Sequence, residues 1–259
     1  MYFLTTRPVW VLILLLILFT ALASAGPILI RRRVAFERLR TNNEVAGFKF
    51  ATIGVLYAVL LAFVVIIVWE RFHDAEKALA SEAGSAATIY RVAGGLSESS
   101  AEALRNDLSG YLQSVLDDDW PAMARGRWSP KTTRVLTNVY EAILKYRPVD
   151  LHDADVQQSL LSEFDQLTRA RRERLIMAEG TVPGVIWFVL FLGAVLTISF
   201  TFLFGTENVI TQSIMTGVLA AIICSSLVVV IAIDRPFTGT VVVSQEPIRA
   251  VLEDFRSAP

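Results

Sequence analysis

The sequence has little of what a disulfide-bonded protein, a metalloprotein or an enzyme needs. It contains one cysteine, Cys224, and two histidines in 259 residues. A single thiol excludes a disulfide framework, and Cys224 lies in an apolar segment, so no metal site is predicted. The chain also lacks GxGxxG, Walker, GxSxG and HExxH motifs. No nucleophile, base and orienting group converge in the sequence, which therefore predicts neither an enzyme nor a bound cofactor.

Charge is scarce as well. Only 19% of the residues are charged and 54% are hydrophobic, and the mean hydropathy is +0.51. This composition is too apolar for a water-soluble domain. The formal net charge of −1 lacks the basic excess of a nucleic-acid surface, so no nucleic-acid partner is predicted. The sequence indicates a membrane protein whose main partner is the lipid bilayer.

Four apolar segments are long enough to cross that bilayer, which requires about 20 helical residues. They predict an all-α integral membrane protein with a helical soluble insertion between its second and third spans. The spans are placed at 9–30, 47–69, 182–204 and 208–233. The predicted domain organisation is therefore 1–69 for the first helix pair, 70–181 for the insertion, 182–233 for the second pair and 234–259 for a C-terminal tail.

The first span and the orientation each leave an alternative open. The letters ALASAG resemble a signal-peptide cleavage site, but the apolar run continues to Arg31, which favours an uncleaved helix. Four spans place both termini and the insertion on one side. That side has eight basic residues near the membrane, against five arginines in the short loop between the first two spans. By count alone, the positive-inside rule favours a cytoplasmic insertion.

The second span is predicted to continue into the insertion as one helix over 47–93. Small and apolar residues recur at steps of three and four from Phe72 to Leu96, with Glu82 as the exception. A tryptophan suits the headgroup level, and charged residues mark the water side. These residues form a predicted interface collar of Trp69, Glu70 and Arg71.

Three further helices are predicted in the insertion, with caps at Ser99, Ser129 and Asp153. The first of them is expected to end at Pro121. The acidic run Asp117–Asp119 just before it is interpreted as a solvated helix end. A hard cation is the alternative ligand for this run, but such a cation requires six or more oxygens in a cage.

A basic cluster precedes the third span. Its simplest interpretation is a membrane-proximal anchor. The alternative is an electropositive ring that attracts ions when it is repeated around an oligomer. The possible ion-attracting residues are Arg169, Arg171, Arg172 and Arg174.

Two parallel stripes run along the second span. The first consists of small residues at steps of four, the usual requirement for close helix packing in lipid: Gly54, Ala58 and Ala62. The second is rotated by about 100° and is apolar: Val55, Val59 and Phe63. If the small stripe packs on a neighbouring copy in a ring, the apolar stripe faces the ring axis. Two faces of an ordinary buried membrane helix explain the spacing equally well.

Three parts of the sequence resemble a family of four-span bacterial membrane proteins labelled bestrophin-like. They are AFERLRTNNEVAGFKFATIGVLYAVLLAFVVIIVWERFHDAEK at 35–77, YR at 90–91, and DDDWPAM from Asp117. DRPFTG, at 234–239, is similar to the Pro-Phe-Gly stretch that follows the last span of the bestrophins. The resemblance implies a pentameric homo-oligomer in the bacterial inner (plasma) membrane with its insertion in the cytoplasm.

The resemblance also implies a function. Bestrophins conduct inorganic ions through an axial pore, and matching VWERF to their second span places the pore neck at Val55, Val59 and Phe63. The segment TVVVSQEP lacks the acidic calcium clasp of eukaryotic bestrophins, so no calcium gating is predicted there. An ion channel of unknown selectivity is the leading hypothesis. The alternative is a non-conducting membrane-anchored sensor or scaffold whose insertion binds a partner.

Overall fold

The structure is a computed structural model of the 259-residue chain, and it describes residues 9–41, 43–239 and 241–257. Within these ranges the protein consists of helices and turns without a β-strand, which confirms the all-α prediction. In chain order the helices are α1 Val9–Arg33, α2 Phe36–Arg40, α3 Asn43–Val92, a 3₁₀ turn Ala93–Gly95, α4 Glu98–Ser114, a π-helical turn Val115–Asp119, α5 Trp120–Met123, α6 Pro130–Lys145, α7 Leu151–Met177, α8 Gly184–Thr201, α9 Val209–Ile233 and α10 Glu246–Ser257.

Four of these helices, α1, α3, α8 and α9, are long and apolar enough to cross a membrane. This confirms the four predicted spans. The second span is only the first part of α3, which continues without interruption to Val92. The prediction of one helix over 47–93 is therefore confirmed.

Backbone contacts divide the chain into two compact units. The membrane unit contains the described residues up to Glu70 together with Gly180–Asp234. The helical unit contains Arg71–Glu179 and the described residues from Arg235 onward. Helix α3 contributes to both units, whereas the segment predicted as a tail is divided between them after Asp234.

Close approach of helices in the membrane unit depends on small residues. A Cβ added at Gly217 of α9 would lie 2.4 Å from Ser24 Oγ of α1. A Cβ added at Gly193 of α8 would lie 2.5 Å from the ring of Tyr57 of α3, whose hydroxyl donates to the Leu190 carbonyl at 3.0 Å. Glycine thus lets polar and aromatic side chains pack against the neighbouring backbone.

The turn between α8 and α9 is fixed by two asparagines. Asn43, at the start of α3, donates from Nδ2 to the Gly205 carbonyl at 2.7 Å and accepts from the Gly205 N–H at 2.9 Å. A Cβ at Gly205 would lie 2.5 Å from the backbone nitrogen of Arg40. Asn208 caps α9 by accepting from the N–H groups of Ile210 and Thr211. These bonds give hydrogen-bond partners to backbone groups at the helix ends that have none within the helix.

Helix starts in the helical unit agree with the predicted caps at one position and differ at two. Ser129 caps α6, accepting from the Thr132 N–H at 3.4 Å. Helix α4 begins at Glu98 after Ser97, so the predicted cap at Ser99 is wrong.

The cap of α7 also differs from the prediction. Asp150, and not the predicted Asp153, is the cap of α7, and it accepts from the Asp153 N–H at 2.8 Å. The Asp153 carboxylate in turn accepts from the Val149 N–H at 3.0 Å. This bond lowers the pKa of the exposed Asp153 carboxyl.

Pro121 does not end the helix that precedes it. The chain passes through the π-helical turn Val115–Asp119 into α5, where Pro121 lies in the first turn. A proline is tolerated there because the first turn of a helix does not use its N–H groups. The extra residue of a π-helical turn rotates the side chains that follow it, and Asp119 is directed into the core.

The DDDWPAM and DRPFTG segments contact each other in the helical unit. Phe237 of the Pro-Phe segment is buried and packs edge-on against Trp120, with the ring centroids 5.4 Å apart. The Thr238 hydroxyl donates to the Ala124 carbonyl at 3.2 Å, and Gly239 adopts a φ of 101° that favours glycine. The segment after the last span is therefore part of a core.

Candidate functional site

The predicted neck residues Val55, Val59 and Phe63 lie on an open edge of α3. Their exposed fractions are 63%, 49% and 61%. Helix α3 packs within the membrane unit through its other side, where the buried residues are Tyr57, Leu61, Val64 and Val68. The edge is therefore left uncovered by the described spans of its own protomer.

The small stripe is open as well. A Cβ added at Gly54 would meet no heavy atom within 4 Å in the described part of the chain. Ala58 and Ala62 are exposed. The predicted helix-packing role of this stripe therefore needs a helix from another copy, and it remains a prediction. The predicted interface collar is also mostly exposed: Trp69 and Glu70 are exposed and Arg71 is half-buried.

The helical unit contains an ion pair that is completely buried. Arg174 of α7 faces Glu82 of α3, and neither side chain is exposed to solvent. The Arg174 Nε donates to Glu82 Oε2 at 2.5 Å, and Nη2 donates to Oε1 at 2.9 Å. Two parallel bonds of this kind form the strongest arginine–carboxylate geometry.

A second carboxylate joins this pair. Asp119 Oδ2 accepts from Arg171 Nη2 at 3.2 Å and from Arg174 Nη2 at 3.4 Å. Its Oδ1 accepts from the Ser129 N–H at 2.9 Å, and the Tyr111 hydroxyl donates to Glu82. We call Glu82, Tyr111, Asp119, Arg171 and Arg174 the buried ion network. Its two guanidiniums balance its two carboxylates.

The environment of the network keeps Arg174 charged and Tyr111 neutral. Burial raises the pKa of Tyr111 well above its usual range, and the neighbouring Glu82 carboxylate raises it further. Burial alone would lower the pKa of Arg174, but the attraction of Glu82 outweighs it and the pKa is raised. Removing one of the four charged members would leave a buried charge without its full pairing, at a cost of up to about 3–5 kcal/mol.

The network corrects two interpretations of the sequence. The predicted role of a membrane-proximal anchor is wrong for Arg171 and Arg174, because both guanidiniums are buried in ion pairs. The solvated helix end is wrong for Asp119, which is buried. Arg169 and Arg172 are exposed, and Arg169 pairs with Asp165 at 2.5 Å. The ion-attracting role remains a proposal for the two exposed arginines.

A sequence signal for the network existed. Glu82 occupies a core position of an otherwise apolar seam, and Arg171 and Arg174 are three residues apart, on one face of a helix. A core acid and an arginine pair together predict a buried ion pair.

In the described residues, no three His, Cys, Asp or Glu side chains are grouped to hold a metal ion.

The fold and the matched domain define the class of protein. It is an all-helical membrane protein with four candidate spans. A model of the Bestrophin-like domain matches residues 17–248, so the chain belongs to the bestrophin-like family, as the resemblance predicted.

Solved structures share the fold at low sequence identity. A variant of a bacterial bestrophin homologue from Klebsiella pneumoniae is 13% identical, with a TM-score of 0.74 over 93% of this chain and 99% of that one. Another structure of the homologue from this organism is 16% identical, with a TM-score of 0.70 over 95% and 100%. A structure described as a membrane protein is 14% identical, with a TM-score of 0.72 over 94% and 99%. No curated protein matches the chain.

Proposed function

We propose that this protein is an oligomeric ion channel in which α3 supplies an apolar neck formed by Val55, Val59 and Phe63. The observation that carries the proposal is the open edge of α3. Three large apolar side chains at steps of four are exposed there, while the opposite side of the helix is buried. Family membership supports an assembly of copies around these edges.

The chemistry of the neck residues fits a gate. An apolar constriction sheds water when it is narrow and passes ions when it widens. Valine and phenylalanine offer no hydrogen-bond partner to a permeating ion, so the neck would control passage by its width. Selectivity would then arise elsewhere in the pore, and Arg169 and Arg172 are candidates for attracting anions.

The resemblance supplies the rest of the proposed arrangement. We propose a pentamer in the bacterial inner membrane, with the helical unit in the cytoplasm and inorganic ions as the permeant species. No catalytic or cofactor role is proposed. The charge count supports the orientation, since more basic residues lie on the side of the insertion.

Ion flux into liposomes tests this function. We expect purified protein to give flux, and Phe63→Ala to raise the flux or change its selectivity because it widens the neck. Phe188→Ala is the matched control, since Phe188 of α8 is equally exposed, at 66%, but lies outside the neck. An absence of flux from the wild type and from all neck-to-alanine variants would contradict the proposal.

A non-conducting scaffold or sensor is the second candidate. It is favoured by the helical unit, which has its own apolar core and a buried ion network and would bind the partner. The mass of the protein in detergent separates the two candidates. A monomer favours the scaffold, because a single α3 edge encloses no pore.

A further inference from the structure

A cleft in the helical unit combines two arginines with an aromatic wall. It measures about 420 Å³ and lies among the end of α3, α4 and α10. Its lining includes Tyr90, Arg105, Asn106, Phe255 and Arg256. This volume is within the range of about 300–1,000 Å³ in which small-molecule sites fall.

Arg105 is held in place by the aromatic wall. Its Nε donates to the Tyr90 carbonyl at 3.3 Å, and its guanidinium lies 4.7 Å from the centre of the Tyr90 ring. The Tyr90 ring stacks on Phe255 with the centroids 3.9 Å apart, and its hydroxyl donates to the Phe255 carbonyl at 3.2 Å. These contacts fix the guanidinium while leaving both its terminal nitrogens without a hydrogen-bond partner among the described residues.

The positive charge of the cleft is not neutralised. Arg256 donates from Nη2 to Gln113 Oε1 at 3.4 Å. Across the described residues, neither Arg105 nor Arg256 has an ion-pair partner, and the lining of the cleft contains no carboxylate. By contrast, Arg169, Arg171 and Arg174 each pair with an acid.

Acidic residues do lie in the adjoining groove, which shares Gln113, Leu252 and Arg256 with the cleft. They are Asp117 and Glu253, and Arg249 lines the same groove. Asp117 accepts from the Gln113 amide at 2.8 Å. This bond leaves the Gln113 amide oxygen directed to Arg256. Among the described residues neither acid forms an ion pair with Arg105 or Arg256, so the guanidinium pair of the cleft remains available to an external anion.

We propose that this cleft binds a phosphate monoester. Such a group carries a charge of about −1.5 to −2 and three strong acceptor oxygens at neutral pH, which matches two guanidiniums better than a single carboxylate does. Arg105 presents a preorganised fork for two of these oxygens. The Asn106 amide adds a donor, and Leu252 and Phe255 offer apolar contacts to the organic part of the ligand.

The inference concerns binding and is independent of conduction. Isothermal titration of the full chain in detergent measures it with AMP as the soluble probe and a short-chain phosphatidic acid as the lipid probe. Adenosine is the control without phosphate. We expect at least one of the two phosphates to bind and adenosine not to bind; whichever phosphate binds more tightly identifies a soluble or a lipid ligand.

Variants locate the binding. We expect Arg105→Gln and Arg256→Gln each to raise the Kd about tenfold or more, because each removes a charge-assisted contact. Arg134→Gln is the matched control, since Arg134 is exposed on α6 and lies outside the cleft, and it should bind as the wild type does. Circular dichroism checks that Arg105→Gln folds; if it does not, the exposed Arg256 decides alone. Absence of binding by both phosphates at millimolar concentration, or wild-type affinity in Arg256→Gln, would overturn the proposal.

Discussion

The membrane unit and the helical unit differ in which side chains they expose and which they bury. In the membrane unit, between 17% and 39% of the most apolar stretch of each span is buried, and large apolar residues such as Ile17 and Ile222 are exposed. In the helical unit, large apolar side chains such as Tyr111 and Phe237 are fully or almost fully buried, and the core also holds a network of four charged groups. Lipid stabilises exposed apolar side chains in one unit, whereas paired partners stabilise buried charges in the other.

The difference shows where each unit is vulnerable. Packing in the membrane unit depends on small residues that allow close contact between helices, since apolar burial gives no advantage over lipid. Packing in the helical unit depends on the apolar core and on complete pairing of its buried charges. The same type of substitution should therefore lower the free energy of unfolding more at a buried position than at an exposed one.

The largest effect is expected at Arg174. Arg174→Met should lower the free energy of unfolding by about 3–5 kcal/mol, because it leaves the buried Glu82 carboxylate unpaired. Arg169→Met, on the same helix, removes an exposed pair and should cost about 0.2–1 kcal/mol. Thermal unfolding followed by circular dichroism in detergent measures both.

A double variant checks the reason for that loss. Glu82→Leu combined with Arg174→Met removes both charges, so it should recover part of the stability that Arg174→Met loses. Equal losses in Arg174→Met and Arg169→Met would show that the network does not stabilise the helical unit.

A smaller effect is expected from adding one methyl group in the membrane unit. Gly193→Ala should destabilise by about 1–3 kcal/mol, because the new Cβ would displace the Tyr57 ring. Gly184→Ala is the control on the same helix, since its Cβ would meet no atom of the described chain within 4 Å. Comparable losses of thermal stability in the two variants would be inconsistent with this packing.

The smallest effect is expected at Asp118. Its carboxylate accepts from Lys131 and from the Ser114 hydroxyl, and these bonds lower its pKa. A lowered pKa contributes stability that is present above the ordinary value of about 4 and is lost as the pH falls through the folded value. Asp118→Asn should cost about 0.5 kcal/mol at pH 7, since its partner Lys131 is largely exposed.

The pH series provides the check on this estimate. The difference in unfolding temperature between Asp118→Asn and the wild type should shrink only below about pH 4. A difference that is already lost at pH 6 would assign the effect to another group.

The membrane spans and the long α3 were predictable because lipid imposes a composition and a minimum length on a helix. The buried ion network was not predicted, since Glu82, Asp119 and Arg174 are distant in sequence and charge usually indicates a surface. The π-helical turn that directs Asp119 inward has no strong local signal. At the neck, the stripe spacing was visible in the sequence, but spacing alone did not distinguish a pore from a packed face.

Water access to α3 tests the central proposal most directly. In a Cys224→Ser background, Val55→Cys, Val59→Cys and Phe63→Cys are treated with a hydrophilic thiol reagent in liposomes. Ile17→Cys is the control, because Ile17 of α1 is equally exposed in the protomer, at 57%, and has no predicted place in the pore. We expect the three α3 positions to react and position 17 to be protected. Protection of all three α3 positions to the level of position 17 would contradict a neck formed by this edge.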